Sequence, residues 1–440
     1  MIPNRFKIAV IILAAIGIRE VFAPFTGHPF DFELWVRLGY YVSKGDDPYL
    51  RTAPVPGLSF PGSGYISWPG YPPLWAIFMA VLYKFYVILG VQNRFLYYFI
   101  LKQPMIISDL LVGYLIYILV RAYSSADNSI KALTFWLLCP FTIIISAIWG
   151  MFDQIMLMLI LLSAILIGRT YRSALTESLS IAIKLIPVIF LPVFALAQTS
   201  RKKIFAYMLL AAIVSVALAF APYLVEKSWK ISTLLGVGID DTNKLGNSMS
   251  YWSILYVYNQ SYAFSPFVKS VLGFLSFLWI PAILTASYFC YSRVLKDKIN
   301  LQKNLILSLL FISLVFYLTK STVNEQYLIY FLGFGTMDYF LWAPKERRRT
   351  FHAVWISALG FLVANNAWMT RFFSPLSFSY MQLNNYFTSG VPGEVRFGVM
   401  IFTSLVFTIA VCYYLKMLYA EMKASKKREP KLMEMPIIPT

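Results

Sequence analysis

Charged residues are scarce in this chain: Asp, Glu, Lys and Arg make up 13% of its 440 residues, whereas 59% are hydrophobic. Water-soluble domains are about one quarter charged, so this chain lacks the polar surface that water requires. Its apolar residues fall in blocks of roughly 18 to 25, the length that spans a bilayer as a helix. An outer-membrane barrel is excluded, because its strands alternate over about ten residues. The composition predicts a helical membrane protein.

Histidine and cysteine are also scarce. With only His28 and His352, we expect no histidine-based zinc or copper site, which leaves carboxylates as the acid–base groups. The three cysteines, Cys139, Cys290 and Cys412, all lie inside apolar runs. We therefore expect small buried hydrophobic side chains rather than a disulfide framework.

The net charge of +18 comes from lysines and arginines that cluster between apolar blocks, as is typical of cytoplasmic loops. With a cytoplasmic N-terminus, the inner side receives the clusters at 84–94, 201–203, 293–303, 345–349 and the basic tail 421–440. The outer side receives 26–70, 226–261, 320–325 and 370–396. No soluble basic domain is available for nucleic acid, so we expect no nucleic-acid partner.

These patterns predict one all-α polytopic membrane domain over residues 1–440, with about 12 transmembrane helices (roughly 10–14) and both termini cytoplasmic. The segments 151–167 and 179–197 are short or interrupted by Pro187 and Pro192, which indicates re-entrant segments or half-helices. The outer segment 26–70 is rich in proline, glycine and aromatic residues, which favours an ordered loop at the membrane interface.

Two carboxylates, Asp31 and Glu33, follow the first apolar block in the segment HPFDFELW. A carboxylate among apolar side chains has a raised pKa, which suits a general base. Their i, i+2 spacing points the side chains to different sides, so we expect one to do chemistry and the other to position a partner. The plain alternative is that both only solvate a loop.

Ionisable residues inside apolar blocks are costly and mark function by default. Asp109 is expected to pair with Lys102, seven residues earlier on the same helix face. Lys184 either ends a helix at the interface or faces a cavity. Asp153 lies at a helix break or in an ordinary loop, and Asp338 precedes the KERRR cluster, toward which its side chain is expected to reach.

Several motifs occur in a characteristic order between residues 31 and 335. They are HPFDFELW, GDDPY, YPPLW, KQPMIISD, CPFTIIISAIWGMFDQ, IKLIPVIFLP and NEQYL. Together they resemble the integral-membrane GT-C glycosyltransferases, particularly the mannosyl- and glucosyltransferases that use polyprenyl-phosphate sugars. No single motif carries this resemblance; the order and the membrane positions do.

The resemblance implies a GT-C-like multi-helix fold whose long first extracytoplasmic loop carries the catalytic acid, the position that Asp31 matches, with Glu33 beside it. It implies a donor hexose on a polyprenyl or dolichyl phosphate. It also implies inverting transfer to a hydroxyl of a glycolipid, a lipid-linked oligosaccharide or a protein. The active site would face the outer or lumenal side of a cell or endoplasmic-reticulum-like membrane.

The resemblance also implies roles for the NEQYL and WGMFDQ segments. NEQYL is similar to a His-Glu-Lys/Gln-Tyr-like motif, with Asn324 in place of the histidine. This assigns donor binding to Asn324, Glu325, Gln326 and Tyr327. WGMFDQ is similar to an aromatic-glycine-polar motif near the site, in which Asp153 and Gln154 are the polar positions. The charge-based topology instead puts WGMFDQ on the inner side, a disagreement that a short or re-entrant helix pair would resolve.

The expected chemistry needs one base for the acceptor hydroxyl and cations for the departing phosphate. Arg37, Lys320 and Arg371 are the cations predicted for the phosphate, with lipid-headgroup contact as the alternative role. Polar support inside the membrane is assigned to Lys102, Asp109, Asp153, Gln154 and Lys184. No metal or other cofactor is required, although Asp31 with Glu33 offers oxygen ligands for a divalent cation.

A transporter or a flippase for lipid-linked saccharides is the main alternative. It would use Asp109, Asp153 and Lys184 as a relay. Such proteins usually contain paired repeats with helices broken at matching positions, and the sequence has no such halves. A structural protein that only contacts lipid is a third interpretation. The aromatic-rich first loop with its two carboxylates favours the enzyme.

Overall fold

The computed structural model describes residues 4–66, 71–226, 229, 248–262 and 264–425. Within these ranges every regular element is a helix, and the only paired extended backbone is an isolated antiparallel bridge between Thr52 and Ile66. The all-α class expected from the composition is confirmed.

Eighteen α-helices are named below over the described part of the chain. They are α1 (Asn4–Phe22), α2 (Asp31–Val42), α3 (Pro73–Ile88), α4 (Arg94–Tyr123), α5 (Ala126–Leu138), α6 (Pro140–Ile143), α7 (Asp153–Ile165), α8 (Thr170–Ile183), α9 (Leu191–Leu196), α10 (Arg201–Val225), α11 (Trp252–Tyr262), α12 (Pro266–Leu275), α13 (Trp279–Cys290), α14 (Leu301–Thr319), α15 (Leu328–Leu341), α16 (Lys345–Asn365), α17 (Phe378–Thr388) and α18 (Gly390–Ser425). Tighter or wider turns occur at Ile144–Trp149 (π), Ile186–Phe190, Tyr291–Leu295 (π), Glu325–Tyr327 and Thr370–Phe373.

Five helical stretches are long and apolar enough to cross a bilayer. They are Arg94–Tyr123, Arg201–Val225, Pro266–Leu295, Leu301–Thr319 and Gly390–Ala424. The pair Ala126–Leu138 and Pro140–Trp149, bent by 45°, would make a sixth. The described chain therefore has the apolar helices typical of an integral membrane protein. The finer count of about twelve spans stays a prediction.

The middle of the chain has the short and broken character that its prolines predict. Helix α7 has 13 residues and α8 has 14. Pro187 lies in the first turn of the 3₁₀ segment Ile186–Phe190, and Pro192 lies in the first turn of α9. Proline is tolerated there because the first N–H groups of a helix have no intrahelical partner.

The segment expected to be an ordered loop over 26–70 begins with a buried helix, α2, which packs against α3. The indole Nε1 of Trp35 donates to the carbonyl of Gly150 at 3.0 Å and anchors α2 beside the π turn. Gly150 has a φ of +84°, and a Cβ there would lie 2.5 Å from the Phe32 ring. Glycine is therefore required both by the backbone conformation and by the close approach of α2.

The other predicted loops differ in outcome. Most of 226–261 lies outside the described residues, apart from 226, 229 and 248–261. The segment 370–396 is largely helical and contains the Thr370–Phe373 turn, α17 and the start of α18. Of the tail 421–440, residues 421–425 end α18 and the rest lies outside the described residues. Cys139 and Cys290 are buried as expected, but Cys412 is exposed on α18.

Candidate functional site

Asp31 is the first residue of α2, and its carboxylate receives two donors on one oxygen. The indole Nε1 of Trp149 donates to Oδ2 at 2.9 Å, and Nδ1 of His28 lies 3.0 Å from the same oxygen. Among the residues that the structure describes, Oδ1 has no hydrogen-bond partner. The side chain keeps 15% of its surface exposed. Asp31 is therefore fixed through one oxygen and presents the other.

Backbone hydrogen bonds bring the partners of Asp31 together from distant parts of the sequence. The amide of His28 donates to the carbonyl of Trp149 at 3.1 Å, and the amide of Gly27 donates to the carbonyl of Phe372 at 2.8 Å. The His28 ring stacks on Trp149 with ring centroids 5.0 Å apart and lies 5.9 Å from the Phe372 ring. The short link before α2 is thus the junction of three chain segments.

Lys102 braces this junction and does not pair with Asp109, so that prediction is wrong. The fully buried Nζ donates to the carbonyl of Thr26 at 2.7 Å and to that of Ala147 at 2.6 Å. It also lies 4.6 Å from the centroid of the Phe32 ring. Lys102 reaches backbone carbonyls because helix ends expose acceptors that attract a cation.

Asp109 pairs instead with Arg19 of α1. Arg19 Nη2 lies 2.7 Å from Asp109 Oδ2, and both side chains are fully buried. Trp136 Nε1 donates to Oδ1 at 2.9 Å, and Ser146 Oγ donates to Oδ2 at 2.8 Å. Every oxygen of Asp109 is used, which is the pattern of a structural ion pair that joins α1, α4 and α5.

The pKa of Asp31 is lowered, contrary to the raised value expected from its apolar neighbours. Burial raises the pKa, but it is outweighed by hydrogen bonds from His28 and Trp149, by the charge of Lys184 and, at the acidic pH where the ring is protonated, by attraction to His28. The carboxylate therefore remains ionised at neutral pH. A raised pKa was expected because only the apolar neighbours of Asp31 were considered, and the hydrogen-bond donors His28 and Trp149 were not.

The pKa of His28 is also lowered. Burial is the largest cause and outweighs the attraction of Asp31, and the positive charge of Arg371 lowers the pKa further. The ring is neutral at pH 7 because its ordinary pKa is already about 6.5. Sequence reasoning passed over His28; its position three residues before Asp31 was the available signal.

Glu33 and Arg37 form a buried ion pair, which favours a structural role over the catalytic role predicted for Glu33 and the phosphate role predicted for Arg37. Arg37 Nε donates to Glu33 Oε1 at 2.7 Å, and both side chains are fully buried. The Phe60 amide donates to Glu33 Oε2 at 2.9 Å, and Arg37 Nη1 donates to the Thr52 carbonyl at 2.9 Å. The pair fastens α2 to the following loop.

Asp153 and Lys184 form a second buried ion pair near Asp31. Lys184 Nζ donates to both carboxylate oxygens of Asp153 at 2.9 Å. The ammonium lies 5.1, 5.1 and 4.8 Å from the ring centroids of Tyr71, Phe152 and Tyr327. Of the two alternatives for Lys184, the structure supports the inward-facing one: its side chain is 1% exposed.

Glu325 and Arg371 contribute opposite charges to the same region. Asn365 Nδ2 donates to Glu325 Oε1 at 2.6 Å, and Arg371 Nε donates to Asn384 Oδ1 at 3.3 Å. Burial lowers the pKa of Arg371, and the charges of Glu325 and Asp31 oppose that change. Burial raises the pKa of Glu325, against the hydrogen bond from Asn365. These charges place both residues within electrostatic range of Asp31.

Arg396 is a nearby cation that the sequence argument missed. Among the described residues its buried Nε has no hydrogen-bond partner, and its Nη1 makes two long contacts, 3.5 Å to the carbonyl of Asn365 and 3.4 Å to Sδ of Met400. The charges of Arg396 and Arg371 repel each other. Arg396 could have been found as the one arginine within the apolar helix 390–424; the predicted block began one residue later.

The remaining predicted residues are mostly buried around these groups. Lys320, at the end of α14, lies 5.5 Å from the Trp279 ring centroid, and Asn324 precedes the 3₁₀ turn that carries Glu325. Gln326 is buried, and the residues that the structure describes offer no partner for its Oε1; the Tyr327 carbonyl accepts a 2.6 Å hydrogen bond from Tyr317. Gln154 is fully buried in the first turn of α7.

A divalent cation held by Asp31 and Glu33 does not fit this geometry. The oxygens of Glu33 are occupied by Arg37, Phe60 and Ser63, and none of these contacts Asp31. In the part of the chain that the structure describes, no group of three or more His, Cys, Asp or Glu side chains is arranged to hold a metal.

No protein-family model matches this chain, and no curated protein is significantly similar to it.

Proposed function

We propose that this protein is a membrane glycosyltransferase that moves a hexose from a polyprenyl-phosphate carrier to an acceptor hydroxyl, with Asp31 as general base. The observation that carries the proposal is the Asp31 carboxylate. It is ionised, held through Oδ2 and open at Oδ1, and cations lie near it. This arrangement can accept a proton without first rearranging.

In the proposed reaction the acceptor oxygen attacks the anomeric carbon of the donor sugar. Its proton passes to Oδ1 of Asp31 as the new glycosidic bond forms. The bond between the anomeric carbon and the phosphate oxygen breaks, and its electron pair leaves with the polyprenyl phosphate. Attack opposite the leaving group inverts the anomeric configuration, as the family resemblance implies.

Arg371 and Arg396 are the cations that best suit the departing phosphate. Arg371 interacts electrostatically with Asp31 and with Arg396, and neither arginine has a bidentate carboxylate partner among the described contacts. Two arginines held together repel each other, and that repulsion is relieved when an anion binds between them. Lys320 remains a further candidate from the sequence. Lys184 is neutralised by Asp153 and is assigned instead to orienting the site.

The assay that tests this function uses the purified chain in liposomes with mannosyl- and glucosyl-phosphopolyprenol as donors. A total membrane lipid extract supplies the acceptors, and mass spectrometry detects an added hexose. We expect product with one donor and a loss of at least roughly a thousandfold in Asp31→Asn, because the base is removed while the size is kept.

The matched control is Asp46→Asn, which changes an exposed carboxylate in the same segment and should retain the wild-type rate. A transporter or flippase would move lipid-linked saccharide across sealed vesicles without a new glycosidic bond and would be most sensitive at Asp153. Full transfer by Asp31→Asn, or transport without transfer, would refute the proposal.

A further inference from the structure

The hydrogen bonds around Asp31 are unequally divided between its two oxygens. Trp149 and His28 both lie within hydrogen-bonding distance of Oδ2, at 2.9 and 3.0 Å, while the described residues provide no donor to Oδ1. A carboxylate at a helix start can rotate about its terminal bond. Two donors from different chain segments prevent this rotation. Oδ1 receives no donor from the described residues, so it is the more basic oxygen and stays available to accept a proton.

We infer that His28 is a positioning residue for the general base: its Nδ1–H donates to Asp31 Oδ2 and so directs Oδ1 toward the acceptor hydroxyl. This inference rests on the proposed glycosyltransferase function. The other ring nitrogen of His28, Nε2, has no part in the proposed reaction. It assigns to His28 a role that its backbone contacts alone do not require.

The inference requires one tautomer of the neutral ring. The backbone amides of Phe30 and Asp31 face the same Nδ1 at 3.4 and 3.2 Å, so this nitrogen could instead accept from them as a helix cap. A lone pair on Nδ1 would then face the lone pairs of Asp31 Oδ2 at 3.0 Å. That repulsion disfavours the capping tautomer, and we assign the proton to Nδ1.

The ring is held firmly enough to position a partner. It is packed between Trp149 and Phe372, and it is 9% exposed. Its own amide is bonded to Trp149, the residue that supplies the other donor to Oδ2. Both donors are therefore fixed to one another as well as to Asp31, which is how outer residues hold a reactive group in place.

Within the described part of the chain, the charged and titratable groups that act on Asp31 or on its neighbours come from separate elements. They are His28 before α2, Asp153 at the start of α7, Lys184 after α8, Glu325 before α15 and Arg371 in the turn after α16. Lys184 is paired with Asp153, and Glu325 is bonded to Asn365. Replacing His28 changes the direct contact to Asp31 and leaves these other groups in place.

Two substitutions separate the positioning role from simple packing. In His28→Asn the amide Nδ2–H occupies the place of Nδ1–H, whereas in His28→Gln the amide reaches the place of Nε2. We expect His28→Ala and His28→Gln to lower kcat by roughly tenfold to a hundredfold, with the donor KM unchanged. We expect His28→Asn to recover most of the lost rate.

The pH profile supplies a readout that packing would not change. In the wild type the acid limb of kcat lies below the ordinary carboxyl pKa of about 4, because the donors favour the ionised form. Loss of His28 removes the two largest contributions that oppose burial, so the acid limb of His28→Ala should move to higher pH. Unchanged kcat in His28→Ala, or lower kcat with an unshifted acid limb, would overturn the inference.

A spectroscopic test does not depend on activity. The chain has only two histidines, so ¹⁵N-histidine labelling gives two ring spin systems, and His352→Asn identifies the one from His28. We expect the Nδ1–H tautomer at His28 and a change in its signals in Asp31→Asn. A protonated Nε2, or signals that ignore Asp31→Asn, would overturn the inference.

His352 is also the matched control for activity. Its Nδ1 accepts from Trp355, its Nε2 lies near Tyr339, and it belongs to the other end of α16 from Arg371. His352→Asn should keep the wild-type rate and pH profile. If no donor gives product with the wild type, the proposed function fails, and the ¹⁵N spectra still decide whether His28 holds Asp31.

Discussion

The carboxylates of Asp338, near the C-terminal end of α15, and of Asp31, at the start of α2, are bonded in different ways. Near the C-terminal end, Asp338 receives Arg347 Nη2 on Oδ1 at 2.6 Å, and Arg347 Nε and Tyr414 on Oδ2 at 2.7 and 2.6 Å. The N-terminal end follows Glu325, whose charge acts on Asp31. Thirteen residues from Glu325 to Asp338 correspond to about 20 Å of helix.

The two carboxylates differ in how many of their oxygens have hydrogen-bond partners. Asp338 has both oxygens occupied and is fully buried, and Arg347 also bonds Glu421 of α18, so this cluster joins three helices. Asp31 has one oxygen occupied and one free within the described structure. A saturated carboxylate stabilises packing, whereas a carboxylate that is fixed but unsaturated is available to a substrate. Asp338 does reach the KERRR segment, as its position suggested.

The most direct test of this difference replaces each of the two carboxylates, that of Asp338 and that of Asp31, by the corresponding amide. Asp338→Asn should lower the free energy of unfolding by about 3–5 kcal/mol, because it leaves Arg347 buried with less compensation. Asp31→Asn should leave stability nearly unchanged and abolish transfer. Thermal unfolding in detergent and the transfer assay measure the two effects, and equal loss of stability at both sites would remove the distinction.

The Arg19–Asp109 pair tests whether saturation marks a structural role more generally. Either single change, Arg19→Met or Asp109→Leu, should destabilise the protein by about 3 kcal/mol, since each leaves one buried charge unpaired. The double variant should recover most of that loss, because apolar side chains replace both charges. Additive losses in a double-mutant cycle would show that the two side chains do not act as a pair.

Glu177 provides a third kind of buried carboxyl, bonded but without a cation. Tyr207 donates to its Oε2 at 2.6 Å, Oε1 has no partner among the described residues, and burial raises the pKa to about 8. The folded state therefore keeps a proton that the unfolded state loses above its ordinary pKa of about 4.3.

Stability should accordingly fall as pH rises between about 4.3 and 8, by up to about 1.4 kcal/mol per pH unit, and then level off. Glu177→Gln removes the titrating proton and should flatten this slope while keeping the hydrogen bond from Tyr207. Unfolding midpoints measured from pH 5 to 9 make the comparison. A wild-type stability that rises with pH over this range would contradict the prediction.

The smallest expected effect concerns the backbone before Arg371. Ala367, Trp368 and Met369 have φ angles of 48°, 59° and 71°, a left-handed run that costs non-glycine residues about 1–2 kcal/mol each. Met369→Gly should change the free energy of unfolding by at most about 1 kcal/mol, because relief of strain is offset by the greater chain entropy of glycine and by the lost packing of a half-buried side chain. Thermal unfolding and the donor KM measure the effect, with Met381→Gly in helix α17 as a control that should destabilise.

Part of this site was predictable from local sequence. Asp31 was identified from its place after the first apolar block, and Arg371 from its place in an outer segment. The Glu33–Arg37 pair was also within reach, because an i, i+4 acid and base on a helix attract each other. The pair was missed because residues 26–70 were interpreted as a loop, and in a loop an i, i+4 spacing does not bring two side chains together.

Other parts were beyond any local argument. The partner of Asp109 is Arg19, 90 residues away, and the Trp149 donor to Asp31 is 118 residues away. Lys102 lies on the helix that carries Asp109, yet it bonds backbone carbonyls of two other segments. Such partners depend on helix packing, which residue spacing within one helix does not specify.

The sequence by itself indicated a lipid environment and an all-helical class of fold. A chain with so few charges and so many long apolar blocks is expected to be helical and to lie in lipid, since each buried backbone polar group needs a partner. Only the tertiary structure decided which charges meet. Ion pairs form between whichever side chains the packed helices bring within a few ångströms, and that proximity separated the bonded carboxylates from the one left open at Asp31.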